Sequence, residues 1–176
     1  PEAWEGRNKP KKTMWQLIPE KRMPPTRVVR YCCQALKEGG GKGRMVVTGV
    51  RHAESAKRAK RKLVETCNRH RGKRYLHPII DWSDSEVWEY IRTYNVPYCS
   101  LYDEGYKRLG CVMCPYQGTS GMMQDAKRWP RIAHAYEMAF QRMVDKRRAD
   151  GIPTEWETGV EVMRWWIGAD HSTKED

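Results

Sequence analysis

The 176-residue chain lacks any apolar run approaching the roughly 20 residues a helix needs to cross a bilayer, which excludes a helical membrane span. Its opening stretch, PEAWEGRNKPKKT (residues 1–13), has no apolar core of the secretory kind, and the expectation is a cytoplasmic protein. No internal repeat and no low-complexity tract is present, so repeat architectures and biased linkers are set aside. No cysteine follows Cys114. Six cysteines without a secretion signal argue against a disulfide framework and for metal binding or catalysis.

What is present fits one ordinary domain with a real core: 39% of residues are hydrophobic and 31% charged. The net charge of +11 favours anionic partners, whether nucleotides, nucleic acid or an anionic cofactor. Much of it lies in AESAKRAKRKLVETCNRHRGKRY, residues 53–75. That stretch reads either as a solvated helix face with a basic loop or as a phosphate-facing surface.

Residues 1–25 read as an extended basic arm, anchored by Trp4, Met14, Trp15 and Leu17 and ended by Pro24-Pro25. TRVVRYCCQALKE (26–38) predicts a helix with Thr26 as its N-cap. GGGKG (39–43) then stops it; lying after a helix and before a strand, it has the wrong order for a phosphate loop. RMVVTGV (44–50) predicts a buried strand, HAESAKRAKRKLVE (52–65) a helix, and LHPIIDW (76–82) a second strand. Ser83 and Glu86 form a capping box for a helix with Val87, Trp88 and Ile91 on one face. Asn95 to Gly121 has no period and reads as a long ordered loop, a kind of segment that usually carries function. Ile132, Tyr136, Ala139, Phe140, Met143 and Val144 repeat at helical spacing, with Gly151 as the stop. A final helix starts at Thr158, with Glu161 as box partner and Met163, Trp166 and Ile167 as its apolar side.

Cys111 and Cys114 form a C-x-x-C, a spacing that lets two thiolates face one metal. Cys32 and Cys33, far upstream, supply a second pair. Adjacent cysteines rarely bridge each other, because the intervening peptide strains the S–S geometry. Four thiolates suit tetrahedral zinc or a 4Fe–4S cluster. The adjacent pair is unusual for zinc and tilts the reading toward iron–sulfur; the bland alternative leaves one of the pair simply buried. Arg30, Lys107 and Arg108 flank these cysteines and could offset an anionic cluster or serve as surface charge. Cys67 and Cys99 have no partner spacing and receive no role.

RYCCQALKE, VVTGVRHAESAKR and HPIIDWSDSEVWEYIRTYNVPYCSLYDEGYKRLGCVMCP, in that order, resemble the phosphoadenosine phosphosulfate (PAPS) reductase family. The likeness runs from about residue 14 to 167. It implies an α/β, partial Rossmann-like adenine nucleotide alpha hydrolase fold with a helical C-terminal part. The boundaries expected are an arm over 1–25, the α/β part with its cluster loop over 26–125, and a helical extension over 126–176. In cluster-bearing members the two cysteine pairs hold a 4Fe–4S cluster, so Cys32, Cys33, Cys111 and Cys114 are the implied ligands, with zinc as the alternative. The stretch after the first strand implies that Arg51, Ser55 and Arg58 meet an adenine nucleotide or sulfonucleotide. If those three residues share a helix, their spacing puts them on one face.

Two family features are absent: an S-G-G-K-D-S phosphate loop, and a nucleophilic cysteine in a C-terminal tail. The expectation is the cluster-bearing part of a longer enzyme, or a subunit completed by another chain, inactive alone as a reductase. Its chemistry is sulfonucleotide reduction by an oxidoreductase, or nucleotide-activated sulfur transfer by a transferase. The rival class is a metal-stabilised, basic module that binds nucleic acid without catalysis.

Overall fold

The structure, a computed structural model, describes residues 10–38, 40–41, 43–67 and 72–168. Trp4, and Gly39 and Lys42 of the expected GGGKG turn, lie outside these. The chain divides into two compact units, one built from Pro1–Gly39 with Gly110–Asp176 and the other from Gly40–Leu109.

The first unit is helical. Its segment expected to be an extended arm instead forms helix α1 over Met14–Lys21. Thr13 and Gln16 make a capping box at its start, with Thr13 N–H donating to Gln16 Oε1 at 2.9 Å. Docking explains the helix: Leu17 and Ile18 are buried, and Ile18 joins the unit's core. A short helix α2 covers Tyr31–Leu36. The sequence predicts its start at Thr26. Thr26 applies its capping chemistry to a tight turn instead, its Oγ1 accepting from Val29 N–H at 2.9 Å.

Helix α4 (Gly118–Arg128) emerges within and beyond the stretch expected to be loop; α5 spans Pro130–Ala149 and α6 spans Gly159–Ile167. The apolar period of α5 is buried as expected, with Tyr136, Ala139, Phe140, Met143 and Val144 on the inside. Val162, Met163 and Trp166 of α6 close the core from the other side. Thr158 caps α6 by accepting from Glu161 N–H at 3.2 Å. The Glu161 carboxylate reaches one residue further out, to Glu157 N–H at 2.7 Å. Burial of this cluster is the unit's main stabilising term.

The second unit holds a three-stranded mixed sheet in the order β1-β3-β2: β1 Met45–Val47, β2 Val64–Thr66 and β3 Arg74–Leu76. β1 runs parallel to β3, while β2 runs antiparallel to it. The strand expected over 76–82 ends at Leu76, and turns follow. The helix expected over 52–65 is not formed. In its place are 3-10 turns at His52–Glu54 and Arg58–Lys60, and then β2. Pairing with β3 draws Val64 and Glu65 into extended backbone, and helix propensity does not outweigh a tertiary ladder. Helix α3 (Asp84–Thr93) begins at the expected Ser83–Glu86 capping box. No helix among the described residues is long and apolar enough to cross a membrane.

Candidate functional site

All four cysteines of the two pairs lie in the helical unit. Cys32 and Cys33 occupy the first turn of α2. Cys111 and Cys114 sit on a turn closed by Cys114 N–H donating to the Cys111 carbonyl at 3.1 Å. Between them Met113 takes a left-handed backbone (φ 57) and sends its side chain, fully buried, into the core. A core anchor inside the C-x-x-C therefore fixes the turn to the helices.

Two cations stand against these thiols. Arg30 Nη2 donates to Cys33 Sγ at 3.2 Å, and this bond holds Arg30 more firmly in its charged form. Lys37 is likewise held charged, chiefly by Cys111, with Cys33 and Cys114 also within electrostatic reach. Burial, then the charge on Cys33, pushes the Cys32 thiol up to about 11. Cys32, Cys111 and Cys114 all act on the buried Tyr136, whose hydroxyl burial keeps protonated. The two pairs, remote in sequence, thus share one neighbourhood.

The donor set suits a thiolate-bound centre. None of the six cysteines is in a disulfide. Among the described residues no group of three or more donors is gathered tightly enough to hold a single ion. A lone zinc takes each sulfur at about 2.3 Å, and a 4Fe–4S cluster takes one thiolate at each iron corner. Arg30 was legible from its place beside the pair. Lys37 was missed, although its four-residue spacing from Cys33 puts both on one helix face. Lys107 and Arg108 belong to the other unit.

The sheet unit carries Arg51, Ser55 and Arg58. They do not share a helix face, because Ser55 is extended (φ −177) between the two 3-10 turns. Its Oγ accepts from Arg58 N–H at 3.2 Å, tying it to the start of the second turn. Arg51 lies just beyond the C-terminal end of β1, the edge where α/β sheets bind ligands. Its guanidinium donates to the Trp82 carbonyl at 3.3 Å and to Asp84 Oδ1 at 2.5 Å. Glu54, unremarked in the sequence, accepts from Arg51 N–H at 3.2 Å and pairs with the Arg58 guanidinium. Both arginines are therefore held by carboxylates that an incoming anion would have to displace.

Residues 2–117 match the phosphoadenosine phosphosulfate reductase domain. The chain belongs to that family. The family implies an adenine nucleotide alpha hydrolase-like α/β fold. The matched region ends three residues past Cys114, so it takes in both cysteine pairs and the Arg51 stretch. Among similar proteins, an uncharacterised protein of Methanocaldococcus jannaschii is 31% identical over 141 residues, covering 76% of this chain and 32% of the relative. Adenosine 5'-phosphosulfate reductase of Allochromatium vinosum is 39% identical over 83 residues, covering 47% of this chain and 32% of its own length. Phosphoadenosine 5'-phosphosulfate reductase of Xanthomonas euvesicatoria is 34% identical over 83 residues, covering 47% and 33%. This PAPS-reductase-family chain spans about a third of the length of these relatives. No solved structure matches it.

Proposed function

We propose that this chain is the iron–sulfur part of an enzyme that handles an adenine sulfonucleotide. One observation carries the reading: two cysteine pairs from distant segments meet around Lys37 and Arg30 in a single unit. Cys32, Cys33, Cys111 and Cys114 would hold a 4Fe–4S cluster. When bound, such a cluster supplies a redox-active, net anionic centre, and Arg30 and Lys37 are the cations that offset it.

The sheet unit is read as part of a Rossmann-like nucleotide domain. Arg51 and Arg58 would receive the phosphate or sulfate oxygens, because guanidinium groups make paired contacts with such anions. Sulfonucleotide reduction is the reaction this reading favours, because the reductase relatives carry that name. The chain's own share of the work is to hold the cluster and bind the anion; no thiol attack is assigned to it.

The test is anaerobic purification followed by metal and sulfide analysis. Iron and acid-labile sulfide in equal amounts, lost when any of the four cysteines becomes serine, are expected. Stoichiometric zinc without iron would overturn the reading. Titration with adenosine phosphosulfates and with random oligonucleotide separates the enzyme from a nucleic-acid module. The enzyme saturates with nucleotide, whereas the module shows steep salt dependence with DNA.

A further inference from the structure

The C-x-x-C turn depends on a conformation that a methionine adopts reluctantly. Left-handed backbone at Met113 brings its Cβ too close to the following carbonyl oxygen. Something must hold it there, and a buried carboxylate is in place to do so. Asp125 on α4 is only 2% exposed, and its Oδ2 accepts from Met113 N–H at 2.6 Å. The same oxygen accepts from Gln117 Nε2 at 2.8 Å. Gln117 Nε2 also donates to the Cys111 carbonyl at 3.0 Å. Gly121 leaves the room for this, since a Cβ there would lie 2.7 Å from Gln117 Cβ.

We propose that Asp125 and Gln117 are positioning residues of the cysteine centre, fixing Cys111 and Cys114 from behind so that both thiols face the α2 pair. The proposal rests on the reading of Cys111 and Cys114 as cluster ligands. Its chemistry explains a buried acid. Both of these Asp125 bonds go to the segment of the turn, and an apolar residue would fill the same space without desolvating a carboxylate. Removing it leaves the Met113 N–H unpaired inside the core, where water cannot replace the lost acceptor. The turn is then free to leave its left-handed residue.

Three variants test this: Asp125→Ala, Asp125→Asn and Gln117→Met. In metal-free protein, amide hydrogen exchange at Met113 and alkylation of Cys111 and Cys114 by iodoacetamide are measured. Both should accelerate roughly tenfold or more in Asp125→Ala, as loss of one charge-assisted bond implies. Gln117→Met should move them in the same direction. Asp125→Asn keeps an oxygen acceptor and should stay within about threefold of the parent. In loaded protein, chelator-driven iron loss should follow the same order, with helix content unchanged. Parent-like exchange and alkylation in Asp125→Ala would overturn the proposal. If Asp125→Ala does not fold, parent-like behaviour in Gln117→Met does the same. A parent that takes up no iron, with the exchange order intact, would remove the cluster and leave the turn-fixing role standing.

Discussion

Thr48 Oγ1 and His77 Nδ1 share a hydrogen bond of 2.6 Å, just past the ends of the parallel strands β1 and β3. His77 is fully buried in the sheet unit. Its other ring nitrogen faces Arg61 Nη2 at 3.4 Å and Glu65 Oε2 at 3.9 Å. Burial, and then the Arg61 charge, lowers its pKa from the usual 6.5, against a smaller opposing pull from Glu65.

This gives a pH dependence with a definite sign. The folded unit keeps His77 neutral, while the unfolded chain binds a proton below about pH 6.5. The contribution to stability is therefore present above about pH 6.5. It is lost as pH falls from there toward the lowered folded value. Urea unfolding at pH 7.5 and 5.5 should show a drop in the parent that is smaller in His77→Gln. An equal drop in both would contradict the assignment.

Arg51 predicts two opposite effects. Arg51→Ala should weaken adenine nucleotide binding roughly tenfold or more in a form that binds it, because a charge-assisted contact is lost. Asp84 holds the same guanidinium from an 81% exposed position. Asp84→Asn should therefore strengthen binding by up to about fivefold, the scale of an exposed ion pair. Calorimetry reads both. Equal affinity in the parent and Arg51→Ala would remove this site, and the arginine would revert to structural bracing of the turn.

The two cysteines outside the pairs give a control. Cys67 and Cys99 lie in the sheet unit, and the four candidate ligands lie in the helical one. Cys67→Ser and Cys99→Ser should leave the iron content of anaerobically purified protein unchanged. A loss of half or more in either would redraw the ligand set.

Gly159 of α6 packs directly against the backbone of α5. A Cβ there would overlap the Glu137 carbonyl and stand 2.5 Å from Gln141 N. Gly159→Ala should destabilise the helical unit by about 1–3 kcal/mol through overpacking, despite alanine's better helix propensity. A thermal or urea melt checks it, and a neutral result would mean that α6 shifts freely.

Ile18 tests whether α1 is integral to the core. The residue is fully buried among Met113, Tyr136 and Phe140 of the same cluster. Ile18→Ala should cost about 2–5 kcal/mol, the range for truncating a packed core side chain. An unstructured arm would show almost none of that.

Sequence alone determined α3, α5 and α6, since each carries its own local signal. Ser83 and Thr158 are caps that act over three or four residues, and the α5 stripe from Ile132 to Val144 repeats along one helix. It also determined the candidate ligands, because adjacent cysteines and a C-x-x-C stand out by spacing. Tertiary structure decided the rest. Three-residue strands are too short to show a period, so β2 is defined only by its pairing with β3, and residues with good helix propensity were drawn into it. Helix α1 exists because Ile18 finds a core to enter. The surroundings of the cysteines were legible only in part. Arg30 lay beside its pair and Lys37 four residues from Cys33, but the reach of Lys37 to Cys111 and the bonds of Gln117 and Asp125 to the turn exist only in the folded unit. A hydrogen bond such as Asp125 to Met113 joins residues twelve apart through a left-handed turn, and no local pattern encodes it.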